Sequence, residues 1–172
     1  ALVLLACYLL GSVPIGLIIG KAIGGIDIRR HGSGNIGATN VLRMLGSRSA
    51  ALVFIGDTLK GLAPVLVCKA IFNDPGLAVL GGLLGVMGHI FSVFLGFKGG
   101  KGVATSLGVV IGIHPIIAAI TFGIWIFTLS IWRYISVASI TAAISVPIQM
   151  WLSGSVFNKS VPPEYMSFAI AA

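Results

Sequence analysis

The sequence predicts an all-α, polytopic integral membrane protein: a bundle of seven transmembrane helices, the last cut short, with the N-terminus outside. Three observations lead there. Hydrophobic residues make up 57% and charged residues only 9% of the chain, mean hydropathy is +1.09, and apolar segments recur at lengths near those of bilayer spans. Soluble domains carry about a quarter charged residues, so these few charges cannot cover a water-facing surface. Lipid offers the backbone no hydrogen bonds, which leaves helices or a closed barrel. A barrel would alternate apolar and polar positions, whereas Leu77 to Met87 is continuously apolar and rich in Gly, Leu and Val, which selects helices.

The first span is read at 1–20. It is a retained helix rather than a secretory signal, because no small-x-small site follows it and Lys21 lies after the run, not before it. A long polar connection leads to the second span at 49–71, in which Asp57 and Lys60 share one helical face. Ionisable residues within a span either serve function or neutralise each other. The third span, 77–97, carries Gly81 and Gly85 at a spacing that lets helices approach closely, and His89 is read there as bonded to a backbone carbonyl. The fourth, 103–113, is short before His114-Pro115, so part of the preceding Gly-Lys cluster is assigned to its helix. Spans at 115–131 and 135–152 follow, and another starts at 166. The final "MSFAIAA" supplies only about 10 Å of helix, against a hydrocarbon core of about 30 Å. Residues 1–172 are therefore read as one membrane-embedded domain, with both termini of the natural chain expected to lie beyond those given.

Orientation follows from the basic residues. Lys21, Arg29, Arg30, Arg43, Arg48, Lys98, Lys101 and Arg133 fall in alternate connections on one side, and Lys69 and Lys159 near the other. The first side is expected to be cytoplasmic. The net charge of +7 then needs no nucleic acid to explain it. Cys7 and Cys68 lie within spans and read as buried thiols, neither a disulfide nor a metal site.

Two segments on the basic side are richer than topology requires. They are "GIDIRRHGSGNIGATNVLRMLG" from residue 25 and "GFKGGKGVATSLG" from residue 96. Glycines let successive N–H groups converge into anion-binding nests, a following helix start adds its positive end, and Lys and Arg add full charge. Both read as phosphate cradles, since packing alone does not call for neighbouring Lys, Ser, Asn and Thr. Two better-known phosphate motifs fail. Gly32, Gly34 and Gly37 fit G-x-G-x-x-G, but no strand precedes them. "GFKGGKG" has three residues rather than four between Gly96 and Gly100, and Gly102 stands where a magnesium-binding Ser or Thr belongs. Neither a nucleotide, another cofactor nor a metal is expected.

"GSGNIGATNVLR" at 32–43, "DTLKGLAPV" at 57–65 and "GHIFSVFLGFKGGKGVATSLG" at 88–108 together closely resemble the motifs of the bacterial acyl-phosphate-dependent glycerol-3-phosphate acyltransferases, the PlsY family. "GSVPIG" at 11–16 and "RYISVASI" at 133–140 extend the resemblance over nearly the whole chain. Ser92 departs from it, standing where members usually have proline. The family's basic tail, with its His and Asn for glycerol 3-phosphate, is not in this sequence. The resemblance implies a multi-pass protein of the bacterial cytoplasmic (inner) membrane with its active site facing the cytoplasm. It also implies transfer of a fatty acyl group from acyl phosphate to the 1-hydroxyl of sn-glycerol 3-phosphate, giving lysophosphatidic acid and phosphate, the first step of phospholipid synthesis. Expected partners are the two substrates, membrane lipid and the soluble enzyme that produces acyl phosphate.

Acyl phosphate is a mixed anhydride, already activated, so this reaction asks for two phosphate sites, an apolar groove and alignment of hydroxyl with carbonyl. Ser33, Gly34, Asn35, Gly37, Thr39 and Asn40 are expected to hold the acyl-phosphate head, with Gly99, Gly100, Lys101, Gly102 and Thr105 beside it. Ser33 and Lys101 are assigned the positioning and electrostatic work of catalysis. Arg43, Lys98, Lys101 and Ser139 are the candidates for glycerol 3-phosphate, and Asp57, Lys60 and His89 are possible support. No base is assigned: a His separated from an Asp by four intervening residues is absent, since Ile36, Phe94 and Ala119 occupy those places after His31, His89 and His114. Asp27 is the main protein alternative, and the phosphate oxygen of acyl phosphate itself is the expected proton acceptor. A transporter of a phosphorylated solute is the rival reading, favoured by intramembrane Asp57 and Lys60. Against it, the anion-binding segments lie on one side, and no matched broken helices occur in two halves.

Overall fold

A computed structural model describes residues 1–157, so the expected helix start at 166, Lys159 and Glu164 lie outside the described residues. The described chain is all-helical: α1 (Leu2–Ser12), α2 (Ile15–Gly24), α3 (Ala38–Phe72), α4 (Pro75–Ile90), α5 (Val103–Ile113), α6 (Pro115–Trp132) and α7 (Ile135–Phe157), with 3-10 turns at Ile28–Arg30 and Val93–Leu95. Among the described residues, five segments are long and apolar enough to cross a bilayer, and α5 is a shorter apolar helix. α3 packs on α4 and α5, α1 on α4, and α6 and α7 follow α5 as an outer pair.

Glycine makes these approaches possible. A Cβ at Gly11 or Gly88 would overlap backbone of α4 and α1 respectively, and one at Gly61 or Gly108 would overlap backbone across the α3–α5 contact. Gly81 and Gly85 lie against Cys68 and Pro64 of α3, which is the packing role expected of them. Cys7, Val65, Cys68, Ala78 and Val109 form the core on one side of the bundle, and both thiols are free.

Three boundaries differ from the expectation, each for a local reason. The first span is two helices broken at Val13-Pro14, because proline supplies no N–H and disfavours a helical residue before it. α3 starts at Ala38 rather than 49, kinked at Gly46 (φ 79°). Its first turns bury Val41 completely, and the polar residues around that position hide the helix from a hydropathy reading. α4 ends at Ile90, seven residues before the expected 97, and the whole Gly-Lys cluster stays outside α5.

Short helices set the depth of the site. α5 has 11 residues, hence about 16 Å of rise, roughly half a hydrocarbon core. Gly61 of α3 faces Thr105 near the start of α5, Gly85 of α4 faces Gly11 of α1, and Gly88 faces Tyr8 and Ser12. The α1–α2 break, the end of α4 and the start of α5 are therefore level with the middle of α3. From that level the chain 91–102 forms a floor, and α2 and the first half of α3 rise beside it. Non-helical backbone at such depth persists only where protein covers it or it lines a polar cavity.

Candidate active site

The first loop is folded by its own side chains. Asp27 accepts from Arg29 at the backbone N–H (3.1 Å), Nε (2.9 Å) and Nη2 (2.6 Å). These side-chain hydrogen bonds hold the Asp27 carboxyl well below the usual carboxylate range and raise Arg29. His31 Nδ1 meets the Asp27 carbonyl at 2.9 Å. Gly32 and Gly34 take positive φ, 59° and 72°, where a Cβ would be strained. Asn40, 1% exposed, reaches back from α3. Its Oδ1 accepts from the Ser33 N–H (2.9 Å), and its Nδ2 donates to the carbonyls of Ile28 (3.2 Å), His31 (3.0 Å) and Asn35 (2.9 Å). Asn35 Oδ1 in turn accepts from Gly37 N–H at 2.8 Å, just before the first turn of α3.

The second loop hangs from the end of α4. Phe97 N–H donates to Ser92 O (2.8 Å), Gly99 N–H to Ile90 O (2.9 Å) and Gly100 N–H to His89 O (3.0 Å). Phe97 (φ 64°), Gly96 (61°) and Gly102 (80°) turn the chain through left-handed conformations. Ser92, the departure from the family pattern, is buried and donates to Ser12 O at 2.6 Å, satisfying a carbonyl freed by the α1–α2 break. Leu95 joins Ile28, Ile36, Val41 and Val53 in a small core, which pins the two loops together.

Between the loops lies a cavity of about 330 Å³ lined by Arg29, Ser33, Gly34, Asn35, Ile36, Leu95, Lys98 and Gly99. Five of the expected residues are thus brought together from positions some sixty apart in sequence: Ser33, Gly34 and Asn35 with Lys98 and Gly99. Arg29, which the sequence marks as a charge of the first loop and of the basic side but not as an individual ligand, also lines the cavity. The signal that could have found it was Asp27 two residues before it, in the same loop as Ser33. Because Arg29 is paired with Asp27, Lys98 contributes the net positive charge among the lining side chains.

Other expected residues stand elsewhere. Asn40 has its amide committed to loop backbone, and Gly37 caps α3. Thr39 is half-buried in the first turn of α3, Arg43 is exposed one turn further on, and Lys101 is exposed in the second loop; none lines the cavity. Gly100 and Gly102 sit behind it against His89 and Ile90. Thr105 is fully buried, with its backbone against Gly61. Ser139 donates to Ile135 O (2.8 Å) and accepts from Trp125 Nε1 (3.3 Å). The expectation that Thr105 and Ser139 lie beside Ser33 is corrected: helical geometry directs Thr105 into the α3–α5 contact and Ser139 to the α6–α7 contact. Asp57, Lys60 and His89 do come together, buried and outside the cavity lining, with Lys60 Nζ 3.0 Å and His89 Nδ1 3.6 Å from Asp57 Oδ1. Chemically, the cavity offers one ammonium, one guanidinium edge, a hydroxyl and a carboxamide around glycine backbone, a donor-rich setting for a phosphate-sized anion.

The family model described as Glycerol-3-phosphate acyltransferase matches residues 1–172. A protein of Geotalea daltonii named Glycerol-3-phosphate acyltransferase is 53% identical over 144 residues, 84% of this chain and 74% of its own length. One of Desulforudis audaxviator with the same name is 51% identical over 147 residues, 86% of this chain and 74% of its own. Among solved structures, PlsY (YgiH), an integral membrane glycerol 3-phosphate acyltransferase in its glycerol 3-phosphate form, superposes with TM-score 0.87 at 43% identity, covering 99% of this chain and 82% of that one. Its lysophosphatidic acid form gives TM-score 0.87 at 42% identity.

Proposed function

This chain belongs to the glycerol-3-phosphate acyltransferase family, and we propose that its donor is acyl phosphate and its product 1-acyl-glycerol 3-phosphate, made on the cytoplasmic side of a bacterial inner membrane. The observation that carries the reading is the cavity between the two glycine-rich loops, with Lys98 from one loop and Arg29 from the other in its lining. Ser33, Asn35 and the surrounding glycine backbone hold the phosphoryl group of the donor. Arg43 and Lys101, exposed and outside the cavity lining, supply charge for the phosphate of the acceptor. The solved PlsY forms with glycerol 3-phosphate and with lysophosphatidic acid support this acceptor and product here.

In the reaction the glycerol 1-hydroxyl oxygen attacks the acyl carbonyl carbon, its proton passes to a phosphate oxygen of the donor, and the carbonyl–phosphate bond breaks to release inorganic phosphate. Asp27 is a poor base, since Arg29 occupies both carboxylate oxygens. Proximity and fixed positive charge on the phosphates then supply the acceleration. Removing a protein base typically costs about a hundredfold to ten-thousandfold, so Asp27→Asn and His89→Gln should each stay short of that range.

Purified protein in detergent, given glycerol 3-phosphate with either acyl phosphate or an acyl thioester, tests the donor. Release of inorganic phosphate in step with lysophosphatidic acid, from acyl phosphate alone, is expected. Turnover with the thioester and none with acyl phosphate would overturn the donor assignment. The detergent assay also dispenses with a sealed compartment, which a transporter would need.

A further inference from the structure

Asp57, Lys60 and His89 are each no more than 5% exposed and line no part of the cavity. Neutralising one buried charge would take only the Asp57–Lys60 pair. The arrangement goes further at both ends. Lys60 Nζ donates to Val13 O at 2.7 Å, the second carbonyl at the α1–α2 break, next to the one that Ser92 bonds. His89 Nδ1 lies 3.6 Å from Asp57 Oδ1 and finds no aligned hydrogen-bond partner, so that carboxylate oxygen, which also faces Lys60 Nζ at 3.0 Å, is the acceptor within its reach. The opposite side of the imidazole, at Nε2, lies against Gly100, where any Cβ would overlap the ring. The His89 carbonyl accepts from Gly100 N–H at 3.0 Å.

We propose that Asp57, Lys60 and His89 form a buried positioning unit that seats the second loop: Lys60 ties Asp57 to the helix break, Asp57 orients the imidazole, and the imidazole fixes the height of Gly100 and hence of Gly99 and Lys98 in the cavity wall. All three are positioning residues, because the substrate meets Lys98 and Gly99 and not the triad. The inference rests on the reading that this cavity holds phosphate. It explains why Gly100 sits in the loop without lining the cavity: its missing side chain makes room for the ring.

The test uses the full chain in detergent, with inorganic phosphate as a competitive inhibitor of acyl transfer and thermal unfolding measured alongside. His89→Ala and Gly100→Ala should each raise the phosphate inhibition constant about tenfold to hundredfold, the scale of a misplacement near 1 Å, with a smaller change in kcat. His89→Asn, whose amide can still donate toward Asp57, should recover part of the loss. The double variant should be no worse than His89→Ala, since removing the ring makes space for the new methyl. Unchanged phosphate inhibition with only a lowered melting temperature would reduce the triad to a space-filling ion pair and overturn the proposal. A wild-type enzyme insensitive to phosphate would instead remove the cavity reading, and this inference with it. Should His89→Ala fail to fold, Gly100→Ala, which leaves the triad intact, decides the matter by the same inhibition constant.

Discussion

Asn40→Ala separates shaping the first loop from touching substrate. The carboxamide joins four backbone groups, Ser33 N–H and the carbonyls of Ile28, His31 and Asn35. Its two amide hydrogens can serve at most two of the three carbonyls well at once, so the truncation removes about three effective hydrogen bonds. At about 0.5–1.5 kcal/mol net for each, the bracket is worth roughly 1.5–4.5 kcal/mol, most of it in the closed conformation of the loop. A factor of ten corresponds to about 1.4 kcal/mol. Amide exchange at Ser33 should therefore accelerate by at least about tenfold, and the KM for the phosphate-bearing donor should rise by a similar factor. The assay is hydrogen exchange read by mass spectrometry over residues 29–37, paired with steady-state kinetics. Asn40→Asp keeps the acceptor for Ser33 N–H but loses both donors, so it should resemble Asn40→Ala rather than the native protein. Native-like exchange in Asn40→Ala, together with a large fall in kcat, would refute the bracket and return Asn40 to direct contact with the reacting groups.

Lys98→Ala should cost about 1.5–3 kcal/mol of a charge-assisted contact, seen as roughly a tenfold to hundredfold loss of kcat/KM. Lys101→Ala should fall mainly on the KM for glycerol 3-phosphate, and identical kinetic signatures for the two lysines would contradict their separate assignments. The Asp27–Arg29 pair should make no pH transition between about 5 and 9. Its stabilising effect is complete above the ordinary carboxylate value near 4 and is lost progressively as pH falls from there toward the lower folded value. A loop-opening step in exchange data around neutral pH would therefore have another origin. Single cysteines at Ser33 and Lys98, in a chain with Cys7 and Cys68 replaced, should react with the same side-restricted reagent, and one at Asn73 with the opposite one. Lys98 serves here because a side chain at Gly99 would strike the His89 carbonyl.

Composition and the continuous apolar runs required a helical membrane bundle: hydropathy is a sum over residues and needs no partner, so the runs at 115–131 and 135–152 match helices α6 and α7, and 49–71 matches α3 beyond its first eleven residues. The two glycine loops were legible for the same reason, since φ freedom and charge belong to the residues themselves. Contacts between distant parts of the chain were not. Sequence placed Asp57 and Lys60 on one face, but only packing at Gly61, Gly85 and Gly88 brings His89, the second loop and the α1–α2 break to that level. Asp27 two residues away marks Arg29 as a held guanidinium, but only Leu95 reaching Ile36 across the two loops makes it part of a cavity wall. Asn40 and Gly100 looked like ligands because their residue types suit phosphate, and the fold spends one on backbone carbonyls and the other on a histidine ring. Local chemistry states what a residue can bind. Burial and helix packing, set by interactions between segments far apart in the chain, decide what it meets.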